Sequence, residues 1–175
     1  YADREVTGVD VASGEVVETF DAPSSGTLAD ARAGLIAVAT ADDGPTEDEA
    51  AAERIVVEPI GGAEDVGAVP GNNRALLSPD GAHVVTDPND SEQVWDVATG
   101  DDVTPEHGYD FMAVAQWLDD DTFQALALDV DPRGRDTSPT DFLVCSVSAG
   151  DCDVVADDVV VPNQVFQIPI GESLG

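Results

Sequence analysis

Apolar and polar residues alternate in short runs along most of this chain, and turn residues break the runs roughly every 8–12 residues, the spacing of a sheet-rich unit. Ala75–Thr104 shows the pattern most fully. Arg74–Leu77 is a first apolar run. Ser78-Pro79-Asp80-Gly81 follows it: Pro fixes φ at the first corner of a turn, and Gly accepts the corner that needs positive φ. Ala82–Thr86 is a second run, where Val84 and Val85 favour extended backbone. Asp87-Pro88-Asn89-Asp90 is a second turn cluster. Gln93–Val97 then alternates, with Val94, Asp96 and Ala98 opposite Trp95 and Val97. Ala98-Thr99-Gly100-Asp101 closes a hairpin into a weak outer strand near Asp102–Thr104. The pattern predicts one repeat of four short antiparallel strands.

The rest of the chain reads as imperfect copies of this repeat. Val9–Gly14 and Cys145–Gly150 match the hairpin signature Trp95–Gly100, and Val57–Gly62 matches it weakly. The aligned glycines are Gly14, Gly62, Gly100 and Gly150, roughly 40–50 residues apart, within the range of repeat architectures. Leu118-Asp119-Asp120-Asp121 takes the place of the Ser-Pro-Asp-Gly turn, after the apolar run Phe111–Trp117 and before Thr122–Leu128. Ala31-Arg32-Ala33-Gly34 takes it earlier, before Leu35–Thr40. Two acidic, Pro-containing insertions, Ala41–Glu53 and Asp129–Asp141, lengthen the spacing and read as surface loops, the first with a potential helix turn in Glu47–Arg54. The chain opens on two strand candidates, Glu5–Val11 and Glu15–Phe20, and closes on two more, Val159–Val161 and Val165–Ile170.

At this point the residues resemble a family. Leu77-Ser78-Pro79-Asp80-Gly81 and Val94-Trp95-Asp96-Val97-Ala98-Thr99-Gly100 look like the blades of bacterial WD-repeat β-propellers, in which Trp-Asp stands near the end of the third strand. The resemblance covers most of Val6–Asp157. It departs from the family where the Gly-His pair is missing, His107-Gly108 standing near that place in reversed order, and where Trp-Asp occurs once. It implies an all-β fold of about four blades, each a four-stranded antiparallel sheet, with the terminal strands completing the N-terminal blade. The alternative is a partial propeller completed by a missing segment or by a second copy. By length the 175 residues make a single domain, which reads as the C-terminal part of a longer chain.

Charge changes the picture more than any motif. There are 37 acidic residues against 6 basic ones, all arginine, for a net charge of −31. Nucleic acids and anionic membranes are held by Lys and Arg, so neither is an expected partner. No apolar run approaches the roughly 20 residues of a membrane span. The acids are spread along the whole chain, which favours a solvated surface over calcium binding, a basic protein partner or DNA mimicry. Folding draws these charges together, and salt screens them over about 8 Å at physiological ionic strength. Monovalent salt is therefore expected to raise the melting temperature, sodium and potassium acting alike and calcium at matched ionic strength adding little. A calcium-only shift that vanishes on Asp129→Ala or Asp131→Ala would show a calcium site instead.

Candidate chemistry is sparse. Cys145 and Cys152 flank the hairpin Ser146–Asp151, which sets them opposite each other on adjacent strands and favours a disulfide over a free thiol pair. With two thiols and His83 and His107 remote from them, zinc is not expected. Asp129–Asp136 partly matches a calcium loop through Asp129, Asp131, Gly134 and Asp136; Arg133 at the fifth place and Thr140 at the twelfth oppose it, so a solvated loop is the favoured reading. Asp119–Asp121 reads as a strand turn. Trp95 and Trp117 read as packing residues before ligand-stacking ones. No nucleophile elbow or phosphate-cradling loop occurs, and no catalytic or cofactor-binding residue is assigned. The reading that results is a non-catalytic protein-interaction module or scaffold, secreted or membrane-anchored, bound to a protein partner and a homodimer if the ring is incomplete. The alternative is a propeller enzyme or small-ligand sensor with its site in a central channel.

Overall fold

Short alternating runs rich in Val, Ile and Ala make strands throughout the computed structural model, which describes residues 5–9, 12–21, 26–41, 53–60, 66–88, 91–129 and 140–159. No helix occurs among the described residues. β1 (Glu5–Val9) and β2 (Val16–Asp21) form a two-stranded ribbon. β3 (Thr27–Arg32), β4 (Leu35–Ala41), β5 (Glu53–Pro59) and β6 (Gly67–Pro70) form a four-stranded antiparallel meander. β7 (Ala75–Leu77), β8 (His83–Thr86) and β9 (Gln93–Asp96) form a three-stranded one. β10 (Phe111–Trp117), β11 (Thr122–Leu128), β12 (Thr140–Ser146) and β13 (Asp151–Ala156) form a second four-stranded meander. The outer strand expected at Asp102–Thr104 shrinks to an isolated Trp95–Asp102 bridge, because Thr104 turns its hydroxyl onto the Val94 amide and the backbone ladder goes no further. Of the possible helix turn at Glu47–Arg54, Glu53 and Arg54 are strand, and the rest lies outside the described residues, as do Gly62, Val165–Ile170 and all of Val159–Val161 but Val159.

The hairpin glycines earn their place through backbone geometry. Gly14, Gly100 and Gly150 have φ of 72°, 74° and 75°, and Gly100 and Gly150 each donate to the carbonyl four residues earlier. One turn has therefore been used repeatedly, which is the repeat seen in sequence. The β3–β4 turn differs: Ala33 (φ 55°) and Gly34 (φ 77°) both lie in the left-handed region, as a two-residue hairpin of this twist demands. Ala33 is exposed and carries a Cβ that this conformation penalises. Ala33→Asn is expected to stabilise the protein by about 1 kcal/mol, read as a higher urea midpoint at unchanged slope; a lower midpoint would contradict this turn.

Each of the three meanders is apolar on both faces. On the three-stranded sheet, Ala75, Leu77, Val84, Trp95 and Val97 pack against Ala37, Ala39, Ile55, Val57 and Val69 of the β3–β6 sheet. Its other face, with Val85 and Val94, packs against Met112, Val114, Trp117, Phe123 and Leu143 of the β10–β13 sheet. The middle sheet is thus buried between its neighbours. The second face of the β3–β6 sheet carries Ile36 and Val38, each 2% exposed and in neither cluster. That of the β10–β13 sheet carries Phe111, Leu126, Phe142 and Val144. Carboxylates tie neighbouring sheets at their first strands: Asp30 of β3 accepts the Leu77 amide of β7 at 2.8 Å.

Cys145 and Cys152 are paired directly across β12 and β13 and joined as a disulfide, with Cα atoms 4.0 Å apart. Cys145 is fully buried beside Phe123, its partner across β11.

Candidate interaction surface

Meander topology divides the connections between two ends of the stack. At one end the described turns between β7 and β8 and around β11 are tight and self-contained. Ser78 and Asp80 bond each other at 2.7 Å, Asp80 takes the Ala82 amide, and Ser78 Oγ takes the His83 amide. Asp119 accepts the amides of Asp121 and Thr122, while Asp121 accepts both hydroxyls of Ser146 and Ser148 and the Ser148 amide. Asp119 and Asp121 are therefore turn caps, their carboxylates taken up by backbone amides and serine hydroxyls.

The other end gathers the long connections: β4–β5 and β11–β12, which hold the two insertions, the β8–β9 loop, and the links between sheets at residues 71–74 and 105–110. Residues 42–52 and 130–139 lie outside the described residues, and with them Asp131 and Asp136 of the calcium-like loop. Asp129 is described; its Oδ1 accepts the Asp110 amide at 3.4 Å. Among the described residues no group of three or more His, Cys, Asp or Glu side chains is arranged to hold a metal ion.

The described part of this end is built on two polar nodes. The first is Glu92, 4% exposed, which pairs with Arg74 at 2.5 Å and accepts the Val114 amide, while Arg74 donates to the Val114 carbonyl at 3.2 Å. Ser91 Oγ accepts the Met112 amide, and the Glu92 amide donates to the Met112 carbonyl. Together they cap the free edge of β10 with a loop of the preceding sheet. Burial pushes the Glu92 carboxyl above its ordinary range, against the pull of Arg74. Beside it, Asp87 Oδ1 is buried with no hydrogen-bond partner among the described residues. The second node is Tyr109, whose hydroxyl donates to Asp141 at 2.6 Å. That bond, with burial behind it, pushes the phenol up to about 12 and pulls the Asp141 carboxyl down. His107 stacks on the Tyr109 ring at 6.3 Å and accepts the Tyr109 amide on Nδ1; burial pushes its imidazole down.

The residues singled out in the sequence are not brought together. His83 lies between two sheets, stacked on Trp117 at 6.0 Å, and His107 sits at the long-connection end. Trp95 and Trp117 are 9% and 8% exposed and belong to the two cores. Glu92, Arg74, Tyr109 and Asp141 carried no motif. The one signal was an arginine just ahead of an apolar run in a chain that has six.

These acids set opposing pH responses. The Asp121 carboxyl is held low first by the Ser146 hydroxyl, Asp96 by the Thr99 amide, Asp119 by the Asp121 amide and Asp141 by Tyr109. Folded values below the usual 3.8 add stability above that pH and lose it as pH falls through and below it. Glu92 runs the other way: a value above the usual 4.5 means its charge costs stability at neutral pH, and acidification relieves that cost. Protonation also relaxes the repulsion among 37 acids. Calorimetry is expected to show a melting temperature that rises from neutral pH towards about pH 5 and falls below about pH 4. A steady fall from neutral pH downward would contradict it.

No protein-family model matches the chain, and no curated protein matches it. Among solved structures, one described as a crystal structure of the eukaryotic initiation factor resembles it at 12% identity and a TM-score of 0.32, over 79% of this chain. This chain spans 46% of the length of that one. So low a likeness defines neither fold nor function.

Proposed function

We propose that this chain is an extracytoplasmic, non-catalytic interaction module: a WD-repeat-like β-propeller of bacterial type, with about four sheets around an axis, that binds a protein partner through its long-connection end. The observation that carries the reading is the serial stacking of two-faced meanders. A sheet apolar on both faces needs a neighbour on each side, and a stack of such sheets is satisfied when it closes into a ring. β1 and β2 form a separate two-stranded ribbon, which in this reading belongs to the sheet that closes the ring between the two outer ones. The tight end is occupied by its own capping bonds, which leaves the long-connection end to vary. The disulfide fits an oxidising compartment, and no described helix is long and apolar enough to cross a membrane.

The test is partner cross-linking with two chains: the native one, and a variant in which residues 42–52 and 130–139 are each replaced by a short turn. Loss of the partner from the shortened chain, with the fold intact by circular dichroism, is expected. Retention of the same partner would overturn the assignment of this end. A ligand-sensor reading has one observation in its favour, the buried Asp87 Oδ1 near Glu92, which has no hydrogen-bond partner among the described residues.

A further inference from the structure

The outer edges of the sheets are not treated alike. At β6 the Pro70 carbonyl is already taken by the Thr86 hydroxyl of the next sheet, at 2.6 Å. The edge of β9 is covered by residues 101–104, through the Asp96–Asp101 and Val103–Val94 backbone bonds. β13 is different. Glu106 bridges to Asp151 at its start, and along Cys152–Ala156 no described strand pairs with its outer side. This edge has no proline and no lysine; what marks it is the pair Asp151 and Asp153 and a register shift beyond Val154.

Its two faces are chemically distinct. Cys152 and Val154 stand opposite Cys145 and Leu143, on the core-facing side, while Asp151 and Asp153 stand opposite Ser146 and Val144 on the other. Val154 is 46% exposed on the core-facing side, and Val155, in the register shift beside it and opposite no β12 residue, is 54% exposed. Aliphatic side chains on one face and carboxylates on the other, beside an open backbone ladder, specify their complement. We propose that the outer edge of β13 docks an extended, basic segment of a partner protein, which adds to the sheet as a further strand and alternates Lys or Arg with aliphatic residues. The inference rests on the reading of the chain as an interaction module and names a second surface of it.

Charge selects this occupant over the others. A second copy would set its own Asp151 and Asp153 against the same acids, and like charges across a strand pair repel. Residues 160–175 of this chain contain no Lys or Arg and do not complement the edge. The disulfide to β12 fixes the edge in register before binding, which lowers the ordering cost of docking.

The probe is an eight-residue peptide alternating arginine and valine, followed by fluorescence anisotropy at low salt and by hydrogen exchange on the whole chain. Its isomer with the arginines and valines in two blocks carries the same charge. The alternating peptide is expected to bind at least tenfold tighter than the block isomer and to slow exchange of amides in 151–156. The exposed double variant Asp151→Lys, Asp153→Lys is expected to lose that binding at least tenfold and to prefer a glutamate–valine peptide. Equal binding of the two isomers, or unchanged exchange in 151–156, would overturn the proposal. So would binding that appears only after deletion of residues 160–175, or an edge already protected by a concentration-dependent dimer. Failure here with partner capture intact at the long-connection end would leave the module reading standing.

Discussion

Phe123→Ala is expected to cost about 3–5 kcal/mol and to be the most damaging single truncation in the β10–β13 sheet. Phe123 is completely buried and meets Trp117 edge to face at 5.3 Å. It also stands across the sheet from Cys145, so its loss opens a cavity that the disulfide-bonded pair is poorly placed to fill. In a chain of this size each kcal/mol moves the melting temperature by about 2–4 °C, so a drop of roughly 10 °C is expected in calorimetry. Phe123→Leu retains most of the volume and should recover more than half of the loss. A drop of only a degree or two for Phe123→Ala would mean that the face between the middle and last sheets is not a packed core.

The second large effect is polar. Thr86 is fully buried; its hydroxyl donates to the Pro70 carbonyl at 2.6 Å and accepts the Trp95 indole N–H at 2.9 Å. One hydroxyl thus joins the end of β6 to the Trp95 of the repeat signature. Thr86→Val keeps the shape and removes both bonds, leaving an indole donor and a carbonyl buried without partners. The expected cost is about 2–4 kcal/mol, most of it from the orphaned groups. Thr86→Ser retains the hydroxyl and should lose less than half as much, which separates the hydrogen bonds from the methyl group. Equal losses in the two variants would show that packing, not the indole bond, holds this node.

Much of the sheet framework was legible in the sequence because its causes are local. β10 and β11 fall on the apolar runs Phe111–Trp117 and Thr122–Leu128, and Gly14, Gly100 and Gly150 mark hairpins because only a residue without Cβ sits easily at positive φ. Cys145 and Cys152 were legible together because an even hairpin loop fixes which residues face each other. The Asp102–Thr104 strand was over-read, since a polar run gives no warning that Thr104 will cap Val94 with its side chain. The Arg74–Glu92–Val114 node was illegible for a deeper reason. Arg74 and Glu92 lie in two connections of the middle sheet and Val114 on the next sheet, and nothing in Ser91-Glu92-Gln93 distinguishes a buried glutamate from the exposed acids around it.

The proposed ring is tested most directly by a crystal structure of the protein in solution-like salt. The account predicts that the second face of the β10–β13 sheet, around Leu126 and Phe142, lies against the β1–β2 sheet of the same chain, with the first strands of successive sheets around one axis. Finding that face pressed against a second copy, or the meanders packed as a two-layer sandwich, would contradict it.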